Sequence, residues 1–215
     1  MDSVYIKLLA VFAVLAAVRL GLFVRRVPAR VRSAVAEYTD SGIIASVVAI
    51  FVVTFLLQIS RVEGVSMQPT LRGGEYTLVN KITYRRSPPR RGDVVVFEAP
   101  NDPRVDYIKR VIALPGETVE VRGGTVRVNG APLDERYSVE QPDYELPKLT
   151  VPDGHLFVLG DNRNRSYDSH LWSPPFLPMS ALRGKASVVL WPLSEIGGIP
   201  GVPAPVLAAD PEAKP

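Results

Sequence analysis

Eighteen consecutive residues, Gly42 to Ile59, carry no charged side chain and are mostly aliphatic or aromatic. As a helix, such a run is long enough to cross the roughly 30 Å hydrocarbon core of a bilayer. It is the strongest constraint on the fold, because a membrane core admits only structures that satisfy their own backbone. An earlier stretch, Val4 to Val24, is also long enough, although it contains Lys7 and Arg19. Both charges stand near its ends, where long side chains can reach the headgroups. A cleavable leader centred on Leu8 to Val18 is the competing reading of this segment. It fits less well, because Asp2 weakens a basic leader and Arg19, Arg25 and Arg26 follow the apolar centre.

Between the two apolar segments stand Arg25, Arg26, Arg30 and Arg32, against Glu37 and Asp40. Positive charge in a short loop favours the cytoplasmic side. The expected organisation is a membrane anchor over residues 1–60, with transmembrane helices at about 4–24 and 42–59 and a basic cytoplasmic loop. Both termini then face outward, and everything after Ile59 is extracytoplasmic.

The remaining chain reads as β. Arg91-Gly92-Asp93 opens the apolar run Val94 to Phe97, the pattern of a buried strand. Val119 and Val121 alternate with polar neighbours, Gly123-Gly124 turns the chain, and Val126 and Val128 alternate again, which predicts a hairpin. His155 to Leu159 and Ala186 to Trp191 read as further strands. The expected layout is a β-rich domain over 61–195 and a loose Pro/Ala-rich tail over 196–215. At 215 residues there is room for one sizeable domain plus an anchor. The net charge of +3 is mild, with no basic stripe, so nucleic acid is not an expected partner. The absence of cysteine rules out disulfides, thiolate metal sites and cysteine catalysis.

Three segments outside the apolar runs carry chemistry. Ser66 sits in Gly64-Val65-Ser66-Met67-Gln68-Pro69-Thr70-Leu71, and Lys109 sits in Tyr107-Ile108-Lys109-Arg110-Val111. A serine hydroxyl attacks well only when a base takes its proton. Lysine can be that base when burial depresses its pKa, and Ile108, Val111, Ile112 and Leu114 supply an apolar setting. Each residue has an ordinary reading too: Ser66 in a loop, Lys109 on an edge strand facing water. The third segment is Gly160-Asp161-Asn162-Arg163-Asn164-Arg165-Ser166-Tyr167-Asp168-Ser169-His170, a polar turn whose hydroxyls and carboxylates could brace a lone base.

Together these segments, with Arg91-Gly92-Asp93-Val94-Val95, resemble the type I signal peptidases, the membrane-bound serine proteases that remove signal peptides from exported proteins. The resemblance runs from about Val62 to Trp191. It implies a mainly β fold, a coiled mixed β-sheet catalytic domain preceded by two transmembrane helices. It also implies Ser66 as nucleophile, Lys109 as general base, Ser166 as the group that orients the lysine amine, and Asp161 and Asp168 as braces. Arg110 is the expected ionic partner of an acid. By the same carry-over Val62, Met67, Leu71, Tyr107 and Ile108 line shallow pockets for small side chains, suiting Ala-x-Ala cleavage sites. The substrate would bind extended along strand edges. The implied enzyme needs no metal or cofactor, acts as a monomer on the signal peptides of secretory preproteins, and resides in the bacterial plasma membrane.

Two positions depart from the family pattern. Many members carry serine or threonine where Gly64 stands, so the oxyanion hole is expected to rest on backbone amides such as that of Ser66. The last motif commonly ends Asp-Ser-Arg, whereas here it ends Asp168-Ser169-His170, which gives Asp168 a titratable neighbour. Other classes fit less well. A two-metal phosphoesterase needs several histidines, and only His155 and His170 exist. A Ser-His-Asp triad through His170 and Asp168 leaves Lys109 unexplained. A self-cleaving Ser-Lys repressor would need a DNA-binding helix pair. An inactive, membrane-tethered scaffold is the non-enzymatic alternative.

Overall fold

A computed structural model describes residues 3–24, 28–138 and 140–201. Arg25, Arg26 and the tail from residue 202 lie outside the described residues. The chain divides into two compact units, residues 1–58 and 59–215.

The first unit is a helical hairpin. Helix α1 covers Ser3–Val24 and helix α2 covers Ala29–Phe51, continued by a π-helical turn at Val52–Leu56. The two helices pack closely, with Gly42 of α2 against Leu15 of α1, where a Cβ would meet the leucine methyls at 2.9 Å. Arg19 of α1 forks onto Asp40 of α2. Thr39 and Ser46 are buried polar residues in α2, and each hydroxyl donates to the carbonyl four residues earlier. Among the described residues one helix, Ala29–Leu56, is long and apolar enough to cross a membrane.

This helix differs from the sequence expectation at both ends. It starts thirteen residues before the uncharged run, directly after Pro28, because the Ala-rich segment that follows favours helix. It also stops short, since Leu57-Gln58-Ile59 already belong to a strand. That strand, β1 (Leu57–Arg61), is drawn out of the apolar run by pairing with β2 (Tyr76–Asn80).

The second unit is β. After β2 and a short helix α3 (Thr83–Arg86) come β3 (Val94–Ala99) and the long β4 (Asp102–Ala113). A hairpin of β5 (Thr118–Arg122) and β6 (Thr125–Val128) turns on Gly123-Gly124, both at positive φ, as a tight two-residue hairpin loop requires. Then follow β7 (Ala131–Pro132), β8 (Leu146–Thr150), β9 (His155–Leu159), β10 (Leu177–Pro178), β11 (Leu182–Trp191) and β12 (Gly197–Gly198). The larger sheet runs β1-β2-β11-β3-β4-β9-β10 with β12 on β11, and the smaller runs β7-β6-β5-β8.

The mainly β class stands, but not as one mixed sheet. Every pairing whose direction is described is antiparallel. Short connections favour this, since a parallel pair needs a crossover of a dozen residues or more. Strand β3 is buried on both faces. Val94 and Val96 join a cluster with Val62, Met67, Leu71 and Val79, while Val95 and Phe97 join one with Val111, Leu156 and Val158. A third cluster, with Val119, Val121, Val126 and Phe157, ties the small sheet to the large one.

The tail begins later than expected. Gly197 and Gly198 pair with Val189 and Val188, Ile199 donates its amide to Ser187 and packs on the Val62 cluster, and Pro200 offers its carbonyl to Arg110. Backbone pairing needs no side chain, which is why a Gly-Gly segment with no strand propensity can be a strand here.

Candidate active site

Lys109 stands in β4 opposite Val95 of β3, and the residue is only 5% exposed. The edge-strand reading therefore gives way to a buried amine. Nζ lies 2.8 Å from Ser66 Oγ and 3.0 Å from the Ile108 carbonyl, with the Tyr107 ring 5.4 Å away. Burial drives the lysine pKa down to about 8, and the charges of Asp168 and Asp161 oppose that fall. Ser66 is half-buried in the turn after β1, within reach of solvent on one side. Its carbonyl accepts the Asn162 amide at 3.0 Å, while its own amide has no hydrogen-bond partner among the described residues. Gly64 just before it has φ of +79°, a conformation in which a side chain would be strained.

The turn after β9 closes the site from behind. Gly160 leaves no room for a side chain, because a Cβ there would collide with Ser166 and with the Ser66 carbonyl. Ser166 Oγ is buried without a hydrogen-bond partner among the described residues. It neighbours Ser66 through Gly160 but is not bonded to the lysine amine. Asp168 is fully buried, and Oδ2 accepts the Gly160 amide at 2.8 Å. Its other oxygen lies 2.6 Å from His170 Nδ1, so the histidine occupies the place of the expected arginine partner. His170 faces Asp168 while Ser66 faces Lys109, and the geometry assembles no Ser-His-Asp triad on Ser66.

Arg110 points to the opposite side of β4 from Lys109 and forms a two-pronged ion pair with Asp161, both fully buried. Its remaining N–H groups reach the carbonyls of Gly92 and Pro200 and the Thr70 hydroxyl. Arg91-Gly92-Asp93 thus has a local reason: Gly92 takes φ of +86° and presents its carbonyl to the guanidinium. Tyr137 lies 4.3 Å below the same guanidinium, and Arg163 beside it pairs with Glu135. Removing either member of a buried pair of this kind typically costs about 3–5 kcal/mol.

The expected pocket residues separate into two groups. Val62, Met67 and Leu71 are sealed into one apolar cluster, so Leu71, with no exposed surface, supports a wall rather than forming it. Ile108 and Tyr107 are half-buried on β4 and keep some open surface. Sequence reasoning missed Asn162, Gly160 as a contact point, Tyr137, Tyr144 and Pro200. A glycine and an asparagine in a polar turn carry only a turn signal, and the other three act through contacts far along the chain.

The family model described as "Signal peptidase, peptidase S26" matches residues 35–191. A signal peptidase I of Leptolyngbya laminosa is 43% identical over 158 residues, covering 70% of this chain and 77% of the relative. A probable signal peptidase I-1 of Synechocystis sp. is 43% identical over 171 residues, covering 75% and 86%. A crystal structure of a signal peptidase I from Enterococcus faecalis V583 shares 35% identity, with a TM-score of 0.41, over 46% of this chain and 97% of that one. With four motifs in register and a family match over most of its length, this chain belongs to the signal peptidase family, peptidase S26.

Proposed function

We propose that the chain cleaves signal peptides from exported preproteins, with Ser66 as nucleophile and Lys109 as general base. The 2.8 Å separation of Nζ and Oγ, in a setting that pulls the lysine pKa to about 8, carries this reading. Neutral Lys109 takes the Ser66 proton as Oγ attacks the scissile carbonyl. The Ser66 amide stabilises the oxyanion that forms. The lysine then passes its proton to the leaving amine, and the C–N bond breaks to leave an acyl-serine. Water, deprotonated by the same lysine, attacks that ester; the acyl C–Oγ bond breaks, the lysine returns the proton to Oγ, and Ser66 is freed. Asp168 and Asp161 limit how far the lysine pKa falls. Ser166, whose buried Oγ has no hydrogen-bond partner among the described residues, would bond the amine when it moves during the cycle.

Ile108 and Tyr107 offer surface for the small side chains that flank an Ala-x-Ala site, with the sealed cluster of Val62 and Met67 supporting Ile108 from behind. The substrate backbone would add along β4. The two-span anchor is supported by the 22-residue α1 and by the Ala29–Leu56 helix, and the arginines just before and within the first turn of α2 favour the cytoplasmic side. The catalytic unit then lies outside a bacterial plasma membrane as a monomer.

Cleavage of a radiolabelled preprotein by the detergent-solubilised full chain tests the reading. Ser66→Ala and Lys109→Ala should each lose at least about 100-fold in rate. Lys109→Arg keeps a charge that cannot be shed near neutral pH and should be as inactive as Lys109→Ala. An active arginine variant would mean that Lys109 is not the base.

A further inference from the structure

Tyr144 stands on the loop leading into β8, remote in sequence from every motif residue. Its ring lies on the imidazole of His170, with centroids 4.0 Å apart and planes 7° from parallel. The Tyr144 hydroxyl is buried and has no hydrogen-bond partner among the described residues. Buried tyrosine hydroxyls usually find a partner, so what this side chain contributes is its ring face.

His170 is enclosed, and among the described residues its ring has one polar anchor, the Nδ1 contact with Asp168. An arginine would grip a carboxylate with two parallel N–H groups and so fix its own plane. An imidazole held by one bond can pivot about it. The stacked ring of Tyr144 removes that freedom. Asp168 in turn is one of two acids whose charge acts on the Lys109 amine.

We propose that Tyr144 is a positioning residue for the lysine base, holding Asp168 in place relative to Lys109 by clamping His170. This inference rests on the Ser66–Lys109 reading above. The charges of Asp168 and Asp161 act on the lysine amine, and the Tyr107 ring lies 5.4 Å from it. Around Tyr144 are Asp168, Arg163, Glu135 and Asp143. Asp161 is neutralised by Arg110, and Glu135 by Arg163. Asp168 has His170 as its side-chain partner, so its field at Lys109 depends on where that ring sits. Without the stack, the bond from His170 loosens and the carboxylate attracts the lysine proton more strongly. The neutral amine is then reached only at higher pH.

The test is the pH dependence of kcat and KM for a synthetic peptide with an Ala-x-Ala site, using the full chain in detergent. Tyr144→Phe keeps the ring and removes only an unbonded hydroxyl, so it should follow the wild-type profile. Tyr144→Leu should move the acid limb upward by roughly half a pH unit and lower kcat/KM at pH 7 about three-fold, with KM little changed. Because Tyr144 acts through His170, His170→Ala and the double variant with Tyr144→Leu should share one acid limb. Tyr144→Met, also without a ring, carries the same test if the leucine variant does not fold. An unmoved limb in the ringless variants, additive shifts in the double variant, or a phenylalanine variant that behaves like leucine each overturns the proposal. Lys109→Ala measured alongside separates the two claims. If it cleaves, the Ser-Lys reading fails; if it is inactive while the Tyr144 limb stays put, only the role of Tyr144 fails.

Discussion

Lys109 carries the sharpest conflict between stability and activity in the molecule. Its folded pKa of about 8 lies below the roughly 10.4 of an exposed lysine. Between those values the unfolded chain binds the additional proton, so stability rises with pH; below about 8 the full cost of burying the ammonium is present. Lys109→Met should therefore be inactive yet more stable than wild type at pH 7, by up to about 3 kcal/mol. That gain should shrink toward zero as the pH approaches about 10.5. Thermal unfolding of both proteins at neutral and alkaline pH checks this, and equal stability at pH 7 would remove the buried-ammonium account. For the same reason wild-type kcat/KM should climb about ten-fold per pH unit below 8. Gly160 makes a second prediction. A methyl there meets Ser166 and the Ser66 carbonyl at once, so Gly160→Ala should cut cleavage by at least about 100-fold through displacement of the nucleophile. A peptide assay would show it, and a variant within two-fold of wild type would mean that the turn relaxes freely.

Among the elements, the hairpin of β5 and β6 was legible because alternating valines and a Gly-Gly turn are local signals. Strand β12 was not, because nothing in Gly197-Gly198-Ile199-Pro200 favours a strand. It forms because the edge of β11 and the guanidinium of Arg110 offer partners for its backbone. Truncation separates this strap from the tail beyond it. A chain ended after Gly201 keeps the strap whole and serves as the reference. Ending it after Ile196 removes the Ile199 contact and one carbonyl from a buried Arg110, which should cost roughly 3 kcal/mol. Urea denaturation of the two truncations measures the difference, and matching midpoints would show that the strap contributes nothing.

For the whole molecule, the helical and β units place different demands on their surroundings, and topology is where those demands meet. Arg25 and Arg26 lie between the helices in sequence, whereas Arg30 and Arg32, expected in a loop, stand in the first turn of α2. Together they argue for a cytoplasmic face here and an external catalytic unit. Protease added to intact spheroplasts should digest the β unit and spare the arginine loop. A protected β unit would contradict both the orientation and a role in processing exported proteins.

The sequence by itself determined the apolar N-terminal helix, the β character of the rest, and the motifs from which the candidate site is assembled. Each of these is a local pattern: an uncharged run, an alternation, or a motif a few residues long. The tertiary structure decided what depends on distant partners. It drew Leu57-Gln58-Ile59 out of the helix into β1 because β2 offered a pairing edge. It buried Lys109 and brought its amine to Ser66 across 43 residues of chain, which turns an ordinary lysine into a candidate base. It also set Tyr144 on His170 and Tyr137 on Arg110. Ring contacts of that kind leave no trace in spacing or composition, because they exist only once the two sheets share a core.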